Sequence, residues 1–179
     1  MATDYQPLHN EIHKDVKITA ATDVADLKDQ HALGIIVQEF ARAGGDFPIV
    51  FIKDPKEGRF FPIVMLGLEQ NTNLFVTEEN KWDASYMPAR YTHKPFTVIP
   101  NKEDENRFGI AIDAASKLIG DEGQALFDAD GKETEYFEAR KKALIGYIEN
   151  EKMTTMFVDR LVELDLIQPK NLNVKVKDK

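Results

Sequence analysis

The residues with the clearest potential for chemistry lie in FDADGKETE, where Asp128 and Asp130 lead into Gly131. A calcium loop of the EF-hand kind places side-chain oxygens at its first, third and fifth positions, glycine at the sixth and a bidentate glutamate at the twelfth. With Gly131 at the sixth position, the first is Leu126 and the twelfth Phe137, so the register fails. The segment reads instead as a turn tied by aspartate hydrogen bonds. His9 and His13 stand four apart, but Pro7 precedes them and the HExxH spacing of zinc proteases is absent. Ser85 and Ser116 occupy no GxSxG elbow. The 10 glycines form neither GxGxxG nor a P-loop. With no cysteine in the chain, thiolate catalysis, disulfides and cysteine-held metals are excluded. The expectation is no catalytic residue, no metal site and no cofactor.

The richer group is an aromatic and cationic one, comprising Trp82, Tyr86, Arg90, Tyr91, His93, Lys94 and Phe96, stiffened by Pro88 and Pro95. Aromatic rings supply contact area, and arginine and lysine add donors and cation-π contacts. Such a group suits a grip on a peptide or an acidic partner. The same residues also suit a long connection packed across a sheet, with the rings buried and only Arg90 and Lys94 reaching water. Exposure separates the two readings, and the seven residues are the binding candidates.

The elements that must position these groups belong to a chain of 179 residues with net charge -8 and 42% hydrophobic residues. That is enough for a sizeable core in one domain or two small lobes. The acidic balance argues against a nucleic-acid partner. No run of eighteen apolar residues and no charged-then-apolar leader is present, so neither an integral membrane segment nor an export signal is expected, and the location expected is cytoplasmic.

Phe-Pro-Ile-Val occurs at 47–50 and again at 61–64, around a polar turn with Asp54, Pro55 and Gly58, which predicts an antiparallel hairpin. Each proline sits early in its run, where a missing amide donor is tolerated. Val16 and Ile18 alternate as one strand face. Asp29 can cap a helix carrying Leu33, Ile36, Val37 and Phe40 that ends near Gly44–Gly45. Phe96–Ile99 and FGIAID read as strands around the charged break NKEDENR. Thr134–Tyr147 and Met153–Leu166 read as two helices, Pro169 as a stop, and NLNVKVKDK as a last alternating strand. The expected class is α+β: an antiparallel or mixed sheet with an N-terminal helix and a C-terminal helical pair packed against it.

An ordered set of short pieces carries a resemblance. Tyr5-Gln6-Pro7-Leu8 with His13, Glu39-Phe40, Phe47 to Phe51, Leu66-Gly67-Leu68, Asn73 to Val76, Trp82, Tyr86 to Ala89, Lys94-Pro95-Phe96 and Leu126 to Gly131 together resemble the SapC family of bacterial proteins. The resemblance implies a single domain over residues 1–179, and an association with surface-layer (S-layer) protein secretion. Family members also occur near outer-membrane receptor and halogenase-like genes, and no settled catalytic residues carry over. Two departures stand out. Thr92-His93-Lys94 replaces a basic pair before Pro95-Phe96, and family members run on beyond the strand equivalent to NLNVKV, which implies a shortened C-terminus here.

The resulting expectation is a nonenzymatic binding or accessory protein with a protein or peptide partner, linked to S-layer or outer-membrane protein export. The alternative is an enzyme or metal-dependent modifier in which His13, His93 and Asp128 or Asp130 converge only in the fold.

Overall fold

The computed structural model describes residues 4–100 and 108–170. In chain order these form β1 (Tyr5–Pro7), β2 (Lys17–Ile18), β3 (Ala32–Gly34), α1 (Phe40–Ala43), β4 (Ile49–Lys53), β5 (Phe60–Met65), α2 (Ala89–Thr92), β6 (Phe96–Pro100), β7 (Phe108–Asp113), β8 (Ile119–Gly120), β9 (Gln124–Ala125) and α3 (Glu135–Glu163). Short 3-10 turns cover Ala25–Leu27 and Val37–Glu39. The described strands make three small antiparallel sheets, so the class is α+β and mostly sheet. The chain divides into two compact units, Met1–Thr22 with Ala89–Glu149 and Asp23–Pro88 with Asn150–Lys179. The charged break at 101–107 and the last predicted strand at 171–179 lie outside the described residues.

In the first unit the sheets run β1-β7-β6 and β8-β2-β9. Their apolar faces meet the first half of α3 in a core of Ile18, Phe96, Ile112, Leu126, Phe127, Phe137 and Leu144. Phe137 is the hub: its ring centroid lies 5.8 Å from that of Phe96 and 5.6 Å from that of Phe127, tilted and edge-on respectively. Thr134 starts α3, its Oγ1 accepting the Phe137 amide at 3.3 Å while donating to the Ala125 carbonyl at 2.7 Å. The β8–β9 connection passes so close to β2 that a side chain at Gly123 has no room. A Cβ there would stand 2.3 Å from the Ile18 carbonyl oxygen, at a backbone φ of +117°.

In the second unit the repeated FPIV peptide forms the hairpin β4–β5, with Phe51 opposite Pro62 and Ile49 opposite Val64. Asp54 organises its turn, Oδ1 accepting the amides of Lys56 at 2.6 Å and Glu57 at 2.9 Å. Pro62 lies within β5, the middle strand of β3-β5-β4. Its carbonyl accepts from Ile35, one residue past the end of β3. The missing proline amide therefore falls on the same side, where the β3 ladder has already ended, which removes its penalty.

Two predicted elements are corrected. The helix expected from Asp29 is a strand, β3, then a 3-10 turn and the single-turn α1. Leu33, Ile35 and Ile36 are all buried, which one helix stripe cannot achieve. Pairing with β5 and the β-branched run Ile35-Ile36-Val37 override the helical spacing of Leu33, Ile36, Val37 and Phe40. The predicted ending before Gly44 holds for α1. The expected C-terminal helical pair is one 29-residue helix, α3. Its polar stretch Glu149-Asn150-Glu151-Lys152 reads as a break in apolar spacing, yet Glu and Lys are good helix formers and the backbone continues through them.

Candidate functional site

The residues from Trp82 to Phe96 fall on both sides of the division between the units. In the second unit, Trp82 is half-buried, its indole Nε1 donating to the Tyr86 carbonyl at 2.9 Å. Its ring packs against Phe47 and Phe75, with centroids 5.9 and 6.1 Å away. Tyr86 is held at two points: its amide donates to Asp46 Oδ2 at 2.8 Å and its hydroxyl to Glu39 Oε1 at 2.7 Å. Glu39 is buried, and its other oxygen accepts the Ile36 amide at 2.9 Å, reaching back to the start of its own 3-10 turn. Nothing in the local sequence marks Glu39 as the anchor of Tyr86, because the two are 47 residues apart.

In the first unit, Tyr91 and Phe96 are core residues. Arg90 is exposed, and His93 and Lys94 are half-buried. The Lys94 ammonium sits 4.5 Å from the Tyr91 ring centroid, and His93 meets Tyr147 edge-on at 4.9 Å. Arg140 of α3 donates to the carbonyls of Thr92 and Lys94, closing the C-terminal end of α2 with a cation. Arg90 also lies within electrostatic range of Tyr5. The Tyr5 phenol titrates above the usual tyrosine range, raised first by partial burial and then by the Asp113 carboxylate, while the Arg90 guanidinium pulls it down.

Among the residues of the composite alternative, His13 and Asp128 have local work. The His13 ring is buried and its Nδ1 accepts the His9 amide at 3.0 Å. Asp128 Oδ1 accepts the amides of Asp130 and Lys132, both at 2.9 Å, which is the aspartate-tied turn expected from the sequence. Among the described residues, no group of three or more His, Asp or Glu side chains is arranged to hold a metal ion. No helix among them is long and apolar enough to cross a membrane.

The first unit also contains a cleft of about 380 Å³ that the sequence did not suggest. Leu8, Ile110, Phe127 and Phe137 form its apolar floor, and His9, Asn10, Glu133 and Lys141 its polar rim, with Gly131 at one side. Lys141 and Glu133 form an ion pair across the rim. These residues come from the segment after β1, from β7, from the Asp128 turn and from α3, so no local motif could announce them.

Neither the curated proteins nor the solved structures include a match to this chain. The SapC family model matches residues 8–179, taking in the N-terminal segment, the FPIV hairpin, the Trp82–Phe96 segment, the Asp128 turn and α3 alike, and the chain belongs to the SapC family.

Proposed function

We propose that this protein is a nonenzymatic binding or accessory protein that holds a polypeptide partner, acting in the cytoplasm in support of S-layer or outer-membrane protein export. The observation that carries this reading is the construction of α2. Tyr91 is anchored in the core and Arg140 holds the carbonyls that follow, so the exposed Arg90 and the half-buried His93 and Lys94 project from a fixed backbone. Arg90 and Lys94 thus carry positive charge on a backbone already set by folding, which favours an acidic polypeptide. Trp82 and Tyr86, in the other unit, are half-buried, the Trp82 indole bonded to the Tyr86 carbonyl and the Tyr86 amide to Asp46, and they are a separate candidate contact. Tyr91 and Phe96 support the surface from within. The mechanism is contact burial and orientation of the partner, with no bond-making step.

The test is a pull-down from native lysate with wild-type and Arg90→Ala baits, each first shown to be folded by circular dichroism. A protein recovered by the wild type and lost with Arg90→Ala supports the assignment. Equal recovery by both baits removes Arg90 from the contact and overturns it.

A further inference from the structure

The cleft of the first unit is chemically unlike the surface around Arg90, and its construction points to a ligand of its own. Its floor is aromatic and buried: Phe127 and Phe137 meet edge-on, flanked by Ile110 and Leu8. Each of the two charges on its rim is built directly beside one of these rings. Glu133 is the antiparallel bridge partner of Phe127. Lys141 follows Phe137 by four residues on α3, one helical turn on, and its ammonium lies 5.2 Å from the Phe137 ring centroid. A cation and an anion thus stand side by side over an apolar slot.

From this arrangement we infer that the cleft binds a free α-amino acid with an aromatic or long aliphatic side chain. The side chain enters the slot, the ligand's carboxylate bonds to Lys141 and its ammonium to Glu133, so that the four charges alternate in sign. The volume accommodates such an occupant: ligand pockets span about 300–1,000 Å³, and this cleft lies near the lower bound, with room for one amino acid. The existing Lys141–Glu133 pair is no obstacle. Glu133 is exposed and Lys141 half-buried, and a pair open to water at the rim holds together weakly enough to open around a ligand that satisfies both partners. This inference does not depend on the polypeptide contact proposed above.

The test is calorimetric titration of the full chain with L-phenylalanine, N-acetyl-L-phenylalanine, L-phenylalaninamide and the doubly blocked N-acetyl-L-phenylalaninamide. Free phenylalanine is expected to bind at least about tenfold more tightly than any blocked form, since each block removes one charge-assisted contact. Lys141→Met keeps the aliphatic cover over Phe137 and should make phenylalanine and its amide equivalent. Glu133→Gln should make phenylalanine and its N-acetyl form equivalent. Both substitutions lie at the rim, and unchanged circular dichroism and melting temperature verify the fold. Absence of saturable binding by free phenylalanine overturns the inference. So does equal binding of the doubly blocked form, which would mark a slot for a side chain within a polypeptide, and so does binding that neither substitution alters.

Discussion

Tyr86 donates its hydroxyl to Glu39 Oε1 at 2.7 Å, tying the segment that carries Trp82 to a buried carboxylate that also receives the Ile36 amide. One glutamate therefore holds the start of its own 3-10 turn and the ring of a residue far along the chain. The tie places the Trp82 indole as well, because Nε1 donates to the Tyr86 carbonyl. It joins two segments of one unit, 36–39 and 82–86, that lie far apart in the chain.

Tyr86→Phe removes only the hydroxyl and should destabilise the protein by about 1–3 kcal/mol, the range for losing a buried hydrogen bond to a charged acceptor. Glu39→Ala should lower stability further, since it also removes the acceptor for Ile36. Urea denaturation followed by Trp82 fluorescence measures both. A Tyr86→Phe midpoint identical to that of the wild type would show that the bond contributes nothing.

Tyr5 gives a pH signature. Its raised pKa means that the neutral phenol is favoured in the folded chain, so its contribution to stability is fully present below about pH 10 and is lost as pH rises through the higher folded value. Removing the neighbouring carboxylate with Asp113→Asn should bring the titration down toward the ordinary value, whereas Arg90→Ala should push it further up. Ultraviolet difference titration against Tyr5→Phe isolates this residue among the 5 tyrosines. Shifts of the opposite sign would contradict the arrangement of the three groups.

Two glycines should respond in opposite ways to the same substitution. Gly123→Ala places a methyl 2.3 Å from the Ile18 carbonyl oxygen at a φ that L-residues avoid, so a loss of about 1–3 kcal/mol is expected. At Gly146, inside α3, an added methyl would meet nothing within 4 Å, and Gly146→Ala should stabilise by about 0.5–1 kcal/mol through helix propensity. Thermal melts of the pair decide the matter, and a stabilised Gly123→Ala would place the β8–β9 connection elsewhere.

The continuity of α3 is checked by amide hydrogen exchange. A single helix predicts protection through Ile148-Glu149-Asn150-Glu151-Lys152, where two helices would leave fast-exchanging amides in a linker. Rapid exchange confined to these five residues would restore the helical pair.

Local pattern is enough wherever an element's partner lies next to it in the chain. The FPIV hairpin is legible because both strands and the Asp54 turn are contiguous, and the Asp128 turn because aspartate, aspartate and glycine act within five residues. The segment from Asp29 misleads because its apolar spacing satisfies a helix while the deciding interaction, pairing with β5, comes from some thirty residues later. Among the candidate binding residues, the sequence leaves ring exposure open. Tertiary packing assigns Tyr91 and Phe96 to the core and leaves Arg90 in water.

The sequence by itself determined the family, the α+β class, the central hairpin and the absence of cysteine chemistry, because these follow from residue identity and from contacts between near neighbours. Only the tertiary structure decided that Glu39 is a buried anchor, that α3 runs unbroken, and that Glu133 and Lys141 face each other over Phe127 and Phe137. The first depends on groups 47 residues apart, the second on a helix continuing past a polar stretch, and the third on the Asp128 turn setting Glu133 beside Phe127 and the start of α3. The path of the backbone settles such matters, and apolar spacing alone does not reveal it.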